Sequence, residues 1–386
     1  MHKLPRKSRL ITAAVAVTAT TLLLAGCSPA ASNGGGSTSA ASGSSATNLD
    51  DFTAEAQALV DQVTALQTVT PPATGPAKVA EAKKIFIIAC SMAAEGCSRP
   101  ADAIAQAADA IGWESTINDP GGDPSKMANA VAQAVSSGYD AIALTAIDAQ
   151  TIQSALQQAK DAGLLIAANA SVDTESNPLF DFTVPDAGDF FDQGYATGAK
   201  MFLDQGSDMK VAMLTGTEFG TVRERLEGTK QFIADCVAAG GSCSVVDEQN
   251  FLVTDLTGSL PGQAAAMVRA KPDANALWIG YDAGANFAIQ GLEAAGLDTP
   301  VYSFDGNVAN ITRIASDKIQ KSTAATAMEW SGFGIIDNFN RIWAGEEPVD
   351  QGPTFKLLTA DNVTSGAAWD GDIEVQADYE KIWNGQ

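Results

Sequence analysis

The chain has 386 residues, of which 46% are hydrophobic, and its formal net charge is −23. This length predicts two globular domains plus a further segment, while so acidic a surface excludes sequence-independent nucleic-acid binding and is repelled by anionic lipid surfaces. The only histidine is His2, and neither a GxxxxGK(S/T) loop nor a GxSxG motif occurs. Histidine-based catalysis and histidine-ligated zinc are therefore excluded beyond the N-terminus, and we expect no cofactor and no metal.

The first 26 residues are typical of a secretory signal peptide. Four basic residues precede position 10, and the apolar run over 10–25 is short for a membrane-spanning helix. The four residues at 24–27, Leu-Ala-Gly-Cys, resemble the lipobox of bacterial lipoproteins. This resemblance implies cleavage before Cys27, lipidation of its thiol and an extracytoplasmic protein attached to the membrane only through the lipid. An ordinary cleaved signal or a chance cysteine is the alternative.

A low-complexity segment follows the signal. Residues 27–48 are almost entirely Ser, Ala, Gly, Thr and Asn, which predicts a flexible tether. Residues 49–83 contain apolar side chains at helical spacing over 49–66 and then Pro71, Pro72 and Pro76. We expect a short helix followed by an extended linker.

The four remaining cysteines form two pairs by spacing, Cys90 with Cys97 and Cys236 with Cys243. In an exported protein four cysteines favour disulfides, although three connectivities are possible. A metal site is the weaker alternative because CxxC spacing and a partner histidine are missing. Free buried thiols remain a further alternative.

From residue 84 onward short apolar strands alternate with alanine-rich amphipathic helices, which predicts an α/β fold with parallel sheets. Ten strands are too many for one such core, so we expect two doubly wound, Rossmann-like lobes. The predicted strands are 85–89, 114–118, 141–144, 164–168, 180–184, 210–214, 244–247, 276–279, 301–304 and 324–327. The predicted helices include 101–111, 124–137, 149–162, 189–203, 221–239, 262–270, 283–295 and 332–343.

Polar or aromatic side chains follow nearly every predicted strand. Ligands of open parallel sheets bind beyond the carboxyl ends of the strands, so two facing lobes would form a polar cleft there. Taken singly, such residues are more often turn formers, helix caps or core aromatics, and Arg223 has Glu227 as a possible helix partner. Taken together, they predict a set of ligand-binding residues: Met92, Glu95, Thr145, Asn169, Glu218, Phe219, Arg223, Tyr281, Asp282, Asp305, Glu329 and Trp330.

Four segments, at 138–171, 211–228, 276–282 and 301–306, resemble in order the motifs of the type I periplasmic solute-binding proteins. The resemblance covers 84–386 and points to the sugar-binding branch, whose members serve ABC importers. It implies three crossings between lobes, near 184–186, 328–330 and 353–356. The lobes would be 84–185 with 329–354, and 186–328 with 355–386.

The same resemblance implies ligand contacts by Asn169, Arg223, Tyr281, Asp305, and Met328 or Glu329. The chain departs from ribose binders at two places. Glu95, Gly96 and Cys97 replace an Asn and paired phenylalanines, and Asn169 with Ala170 replaces an Asp-Arg pair.

The function implied is capture of a small polar ligand, a sugar or polyol, by hinge closure. The closed monomer would deliver it to a separate ABC permease driven by its ATPase, without making or breaking a bond. One alternative is a secreted glycosidase that uses two of Glu218, Asp282, Asp305 and Glu329. A second is a ligand-sensing module for a membrane receptor. A lac-repressor-like regulator is excluded because a leader and tether replace the basic helix-turn-helix.

Overall fold

A computed structural model describes residues 48–66, 69–173, 178–185, 188–316, 319–363 and 366–386. The predicted signal peptide over 1–26, Cys27 and the predicted tether up to residue 47 lie outside these ranges. The described residues form two sheets with helices packed on them. This confirms the predicted pair of doubly wound α/β lobes.

The first sheet has five parallel strands in the order β2-β1-β3-β4-β5. In β1 (Lys84–Ala89), an interior strand of this sheet, residues 85–89 are all buried, because helices cover both faces of the sheet and leave no solvent side for polar residues. The predicted strand at 180–184 is reduced to two residues. The strands are β1 (Lys84–Ala89), β2 (Glu114–Asn118), β3 (Ala141–Thr145), β4 (Leu165–Asn169) and β5 (Phe182–Thr183).

The second sheet has six strands in the order β11-β10-β9-β8-β6-β7. All neighbours run parallel except β11, which pairs antiparallel with β10. The sequence analysis missed β11. The strands are β6 (Lys210–Thr215), β7 (Ser244–Asn250), β8 (Ala276–Ile279), β9 (Val301–Asp305), β10 (Gln320–Thr326) and β11 (Phe355–Thr359).

The helices begin and end where local chemistry favours it. Asp123 caps α3 by accepting hydrogen bonds from the amides of Ser125 and Lys126, and Gly112 ends α2 with a φ of 85°. No helix formed by the described residues is long and apolar enough to span a membrane. The helices are α1 (Leu49–Thr64), α2 (Glu95–Ile111), α3 (Pro124–Ser136), α4 (Gln153–Asp161), α5 (Gly188–Gln205), α6 (Gly220–Ala238), α7 (Leu260–Ala270), α8 (Asp282–Ala295), α9 (Val308–Ala315), α10 (Met328–Trp343) and α11 (Val375–Trp383).

The C-terminal helix corrects one predicted lobe boundary. The prediction assigned 355–386 to the second lobe, and β11 does belong to the second sheet. Helix α11, however, packs into the core of the first lobe, where the rings of Phe333 and Trp383 stack at 6.0 Å. The reason is an aromatic face on α11, formed by Tyr379 and Trp383, that matches the face of α10.

The residues before β1 contact both lobes. Helix α1 packs on the second lobe, where the ring of Phe52 lies 5.2 Å from Phe202 and 5.0 Å from Phe232. Residues 69–83, which we call the N-terminal strap, then run along the first lobe. There the Asn340 side chain accepts a hydrogen bond from the amide of Val79 (3.0 Å) and donates one to the carbonyl of Pro76 (3.2 Å). The strap and the segment between β11 and α11 are thus passages between the lobes beyond the three predicted.

Candidate ligand-binding site

A cleft lies between the lobes at the carboxyl ends of both sheets. The space between its walls that protein atoms do not fill is about 500 Å³ when the open solvent at its mouth is included, and the centre of a water molecule can occupy about 40 Å³. It therefore lies where open parallel sheets bind their ligands. The residues that line it are Ala94, Gly96, Cys97, Ala146, Asn169, Ala170, Phe190, Phe219, Thr221, Val222, Arg225, Tyr281, Asp305, Thr326 and Met328.

The backbone is strained at this cleft. Among the described residues, three that are not glycine have a positive φ: Ala146 (51°), Ala170 (51°) and Asp305 (109°). All three line the cleft. Because such strain persists only where the surrounding structure imposes it, its concentration here marks the cleft as a functional site.

A buried ion pair lies at the base of the cleft. Nη2 of Arg225 donates to Oδ1 of Asp305 at 3.0 Å, and the two side chains are 3% and 8% exposed. The guanidinium also donates to Oε1 of Gln193 and to the carbonyl of Gly280, and it lies 4.8 Å from the ring of Phe304. Burial raises the pKa of Asp305, which the charge of Arg225 opposes, and burial lowers the pKa of Arg225, which Asp305 opposes. The pair is a fixed, net-neutral set of donors and acceptors.

Two further polar groups of the lining have no hydrogen-bond partner in the described part of the chain. They are Oδ1 of Asn169 and the hydroxyl of Tyr281, both buried. Nδ2 of Asn169 donates to the carbonyl of Val184, which fixes the amide. Since a buried polar atom without a partner is costly, these two atoms are suited to contact polar groups of a ligand.

Four of the twelve predicted site residues line the cleft, namely Asn169, Phe219, Tyr281 and Asp305, and so does Met328, which the resemblance implied as the alternative to Glu329. The rings of Phe219 and Tyr281 meet edge to face at 5.6 Å and form an aromatic wall. These four were found because each stands at the end of a correctly predicted strand or in the loop that follows it. They remain candidates for ligand binding.

The arginine in the cleft is Arg225, whereas the prediction named Arg223. Side chains two residues apart on a helix point in nearly opposite directions, so only one of the pair can face the cleft. The buried positions of α6 include 221, 222, 225 and 229, a helical stripe that contains Arg225. Arg225 could have been identified from the sequence because it is a charged residue in a helical stripe whose other side chains are apolar or small.

Arg223 instead bridges the two lobes. Its Nη2 lies 2.6 Å from Oδ2 of Asp148, which is 5% exposed and belongs to the first lobe. A Cβ added to Gly220 would lie 2.5 Å from Oδ1 of Asp148, so the lobes are in close contact here. Glu95, another predicted site residue, also crosses the gap and accepts a hydrogen bond from the amide of Val308 at 3.3 Å. The described conformation is therefore a closed one.

We expect the Asp148→Asn substitution to favour opening. It removes the charge that pairs with Arg223, and because the arginine is 44% exposed the loss should be about 1 kcal/mol. Small-angle scattering of the ligand-free protein should show a larger radius of gyration for the variant. Asp273→Asn, which breaks the exposed pair with Lys210 inside the second lobe, is the matched control. Equal radii for Asp148→Asn and the wild type would contradict the bridge.

Two predicted acids of the second lobe stabilise its own fold and do not line the cleft. Glu218 accepts a hydrogen bond from the amide of Val253 at 2.6 Å. Asp282 is fully buried and accepts bonds from the amide of Asn307 (2.8 Å) and the hydroxyls of Thr323 (3.0 Å) and Ser303. Burial raises the pKa of Asp282 to about 7, Asp305 adds to the rise, and these hydrogen bonds oppose it.

The shifted pKa of Asp282 predicts a pH dependence of stability. An unfolded Asp titrates near 3.9, so between about pH 4 and pH 7 the folded chain holds a proton that the unfolded chain has released. The contribution of Asp282 to the free energy of unfolding therefore falls as the pH rises through this range. We expect Asp282→Asn to remove this part of the slope in urea unfolding measured from pH 4.5 to 7.5. Identical slopes for the variant and the wild type would refute the assignment, and Asp273→Asn should keep the wild-type slope.

The other predicted site residues also lie outside the lining, and three of them belong to the first lobe's interior. The hydroxyl of Thr145 donates to the carbonyl of Cys97 at 3.0 Å. Trp330, 1% exposed, donates from Nε1 to the carbonyl of Gln351 at 2.8 Å, and Met92 packs against the same core. Glu329 is half-buried at the start of α10, where burial and the nearby Asp370 raise its pKa.

Arg99 was not predicted as part of the site, yet it connects α2 of the first lobe to the loop after β9. Its Nη1 donates to the carbonyl of Gly306 at 3.2 Å, and its Nη2 pairs with Asp370 at 2.8 Å. It therefore holds the strand end that carries Asp305. No strand-end pattern marks it, because it lies in the second turn of a helix.

Both predicted disulfides are present, and they join Cys90 to Cys97 and Cys236 to Cys243. The Cα atoms are 5.6 and 6.1 Å apart. The first disulfide links the end of β1 to the first turn of α2, so it fixes the part of the cleft that contains Gly96 and Cys97. Within the described ranges, no cluster of three acidic, cysteine or histidine side chains could hold a metal ion.

Comparison with known proteins agrees with this architecture. No curated protein matches the chain in sequence. A solved ABC sugar transporter subunit from Rhodobacter sphaeroides 2.4.1 is 20% identical, with 72% of this chain and 99% of that chain covered and a TM-score of 0.64. The Caulobacter myo-inositol binding protein, bound to myo-inositol, is 15% identical, with 75% and 97% covered and a TM-score of 0.65. An ABC transporter solute binding protein from Mycobacterium smegmatis, with bound glycerol, is 20% identical, with 75% and 99% covered and a TM-score of 0.65.

These structures share the fold of this chain. The family model described as a periplasmic binding protein domain matches residues 85–347, which include both sheets up to β10 and most of the lining of the cleft. By this match, and with the two lobes and the cleft between them, the chain belongs to the periplasmic binding protein domain family.

Proposed function

We propose that this protein is the extracytoplasmic substrate-binding component of an ABC importer for a sugar or polyol. The observation that carries the proposal is the cleft, in which an ion pair, an amide and an aromatic wall converge at the ends of two parallel sheets. Structures of the same fold are described as an ABC sugar transporter subunit and as binding proteins with myo-inositol or glycerol bound. Membership of the family supports a binding role.

The ligand stabilises the closed form because it contacts both lobes at once. Arg225 and Asp305 offer paired donors and acceptors of the kind that vicinal hydroxyls match, while Asn169 offers a carbonyl oxygen from the opposite lobe. Phe219 and Tyr281 cover an apolar ring face. A ligand that makes both sets of contacts only in the closed form shifts the equilibrium from the open to the closed form. The size of the shift is set by the difference between its affinities for the two forms.

The N-terminal features suit a lipoprotein. The basic and apolar leader with Cys27 at its end favours lipidation of that cysteine and attachment to the membrane from the outer side. Disulfides persist in such an oxidising compartment. The protein acts as a monomer and delivers its ligand to a separate permease and ATPase.

The geometry does not favour the glycosidase alternative. Hydrolysis of a glycoside needs two carboxyl groups on opposite sides of the bond. Of the four acids considered, only Asp305 lines the cleft, and it is held by Arg225. Glu218 and Asp282 are bonded within the second lobe. A sensor module would use the same closed form, and the identity of the membrane partner distinguishes it from transport.

A thermal-shift screen of the purified protein tests this proposal. Pentoses, hexoses, inositols and short polyols are added singly, and a ligand at 100 times its Kd should add about 2.7 kcal/mol to the stability. Hits are confirmed by titration calorimetry, and the mixtures are then analysed for products by chromatography. Lack of stabilisation by every sugar and polyol would overturn the proposal, and hydrolysis products would favour the enzyme alternative.

A further inference from the structure

The two walls of the cleft differ in polarity. Among the described residues, Asn169 is the one side chain with a nitrogen or oxygen on the wall that the first lobe contributes to the cleft. That wall consists of Ala94, Gly96, Cys97, Ala146, Asn169 and Ala170. A ligand held here therefore meets hydrocarbon over most of one side.

Several backbone groups of this wall are also engaged within the first lobe. The amide of Ala146 donates to the carbonyl of Asn169 at 2.8 Å, and the amide of Cys97 donates to the carbonyl of Ala94 at 2.9 Å. The carbonyl of Cys97 accepts the hydroxyl of Thr145. The Cys97 sulfur is in a disulfide and has no S–H group to donate. A ligand hydroxyl directed at the alanine methyl groups would thus lose its water and meet no side-chain donor or acceptor there.

The opposite wall is polar but electrically balanced. The described contacts of Arg225 use three of its five N–H groups, so donors remain for a ligand. Asp305 neutralises its charge at 3.0 Å, and the Tyr281 hydroxyl adds a further polar group. A wall of this kind favours a neutral ligand with hydroxyls on one edge, and it gives no net attraction to a carboxylate or an amine.

We infer that the ligand is a neutral deoxy sugar, in which a CH3 or CH2 group replaces a hydroxyl on the edge that faces Ala146 and Ala170. This inference rests on the proposed function and narrows it. The hydroxyls on the other edge bind Arg225, Asp305 and Tyr281, and one of them donates to Oδ1 of Asn169. The preference for the deoxy sugar comes from the unpartnered hydroxyl that its fully hydroxylated counterpart would bury against the alanines.

Matched sugar pairs test the inference by titration calorimetry on the purified protein. The pairs are D-fucose and D-galactose, L-fucose and L-galactose, L-rhamnose and L-mannose, and 2-deoxy-D-ribose and D-ribose. In at least one pair the deoxy sugar should bind at least about tenfold more tightly than its counterpart. D-galacturonate should bind at least tenfold more weakly than the best neutral sugar.

The Ala170→Asn substitution supplies the converse test. Asparagine tolerates the positive φ of this position, so the backbone is not strained further, and its amide gives the apolar wall a donor and an acceptor. In this variant, the ratio of the affinities for the deoxy sugar and its hydroxylated counterpart in the best pair should fall about tenfold or reverse. The same change at the exposed Ala344, on the far end of α10, should leave it unaltered.

The outcomes separate this inference from the proposed function. If hydroxylated sugars or polyols bind as tightly as every deoxy sugar, or more tightly, the inference fails and the transport proposal stands. If no sugar or polyol binds, both fail. A deoxy preference that is the same in the wild type and in Ala170→Asn would also overturn the assignment to this wall.

Discussion

Replacing Arg225 by methionine should destabilise the protein by about 3–5 kcal/mol and abolish ligand binding. The substitution removes the guanidinium, whose central carbon lies 5.4 Å from the ring of Phe190 and 4.8 Å from that of Phe304, and it leaves the carboxylate of Asp305 buried without its partner. Such an uncompensated charge costs more than the ion pair contributes, because the desolvation of Asp305 is no longer offset. Urea unfolding followed by tryptophan fluorescence measures the loss.

A second variant separates stability from binding. Arg225→Met combined with Asp305→Asn removes both charges, and asparagine is compatible with the positive φ at position 305. Most of the lost stability should return, whereas ligand binding should not. Arg313→Met, which breaks the exposed pair with Glu293, is the control and should cost less than about 1 kcal/mol. If the single variant proves as stable as this control, the buried pair does not have the role assigned to it.

Replacing Asp337 by asparagine should also cost about 3–5 kcal/mol, although this residue does not line the cleft. Asp337 is fully buried on α10 and accepts hydrogen bonds from Nε of Arg341 (2.7 Å), Nε2 of Gln351 (2.9 Å) and Nε1 of Trp383 (3.0 Å). It thus connects α10 to the loop that contains Gln351 and to α11. Loss of its charge leaves Arg341, 4% exposed, without its main counter-ion.

Hydrogen exchange locates the effect of Asp337→Asn. The amides of Lys78 and Val79 are bonded to the carbonyl of Trp383 and to the side chain of Asn340, so both depend on the arrangement around α10. Their exchange, and that of α11, should accelerate more than the exchange of β8 in the second lobe. Asp378→Asn, at an exposed pair with Lys381, should change neither stability nor exchange appreciably. Uniform acceleration throughout the protein would contradict a local role for Asp337.

The architecture could be predicted because its signal is repetitive. Each buried parallel strand is a short apolar run, and each helix has an apolar stripe. The alternation of strands and helices along the chain then determines the fold class. The exceptions are elements that depend on distant partners. The helix between β11 and its antiparallel neighbour β10 is α10, which packs in the other lobe. Helix α11 has only nine residues and is defined by its aromatic contacts with α10.

The site could be predicted only in part, for a related reason. Asn169, Tyr281 and Asp305 follow strands, so their position in the chain places them at the edge of a sheet. Asp282 and Trp330 also follow strands, but the neighbouring side chains bury them away from the cleft. Which of two residues on one helical turn faces a cleft depends on the rotation of the helix that carries them, as Arg223 and Arg225 illustrate.

The interleaved path of the chain has a consequence for the order of folding. Helix α1 packs on Phe202 and Phe232, and the carbonyl at its end, on Thr64, bonds to the side chain of Asn362, 298 residues later. The core of the first lobe needs Tyr379 and Trp383 from the last helix. Neither half can therefore complete its interior while the chain is still being synthesised, and contacts this distant in sequence form slowly. The polypeptide therefore leaves the ribosome without a finished half, and both lobes complete their interiors only once the C-terminal residues are available.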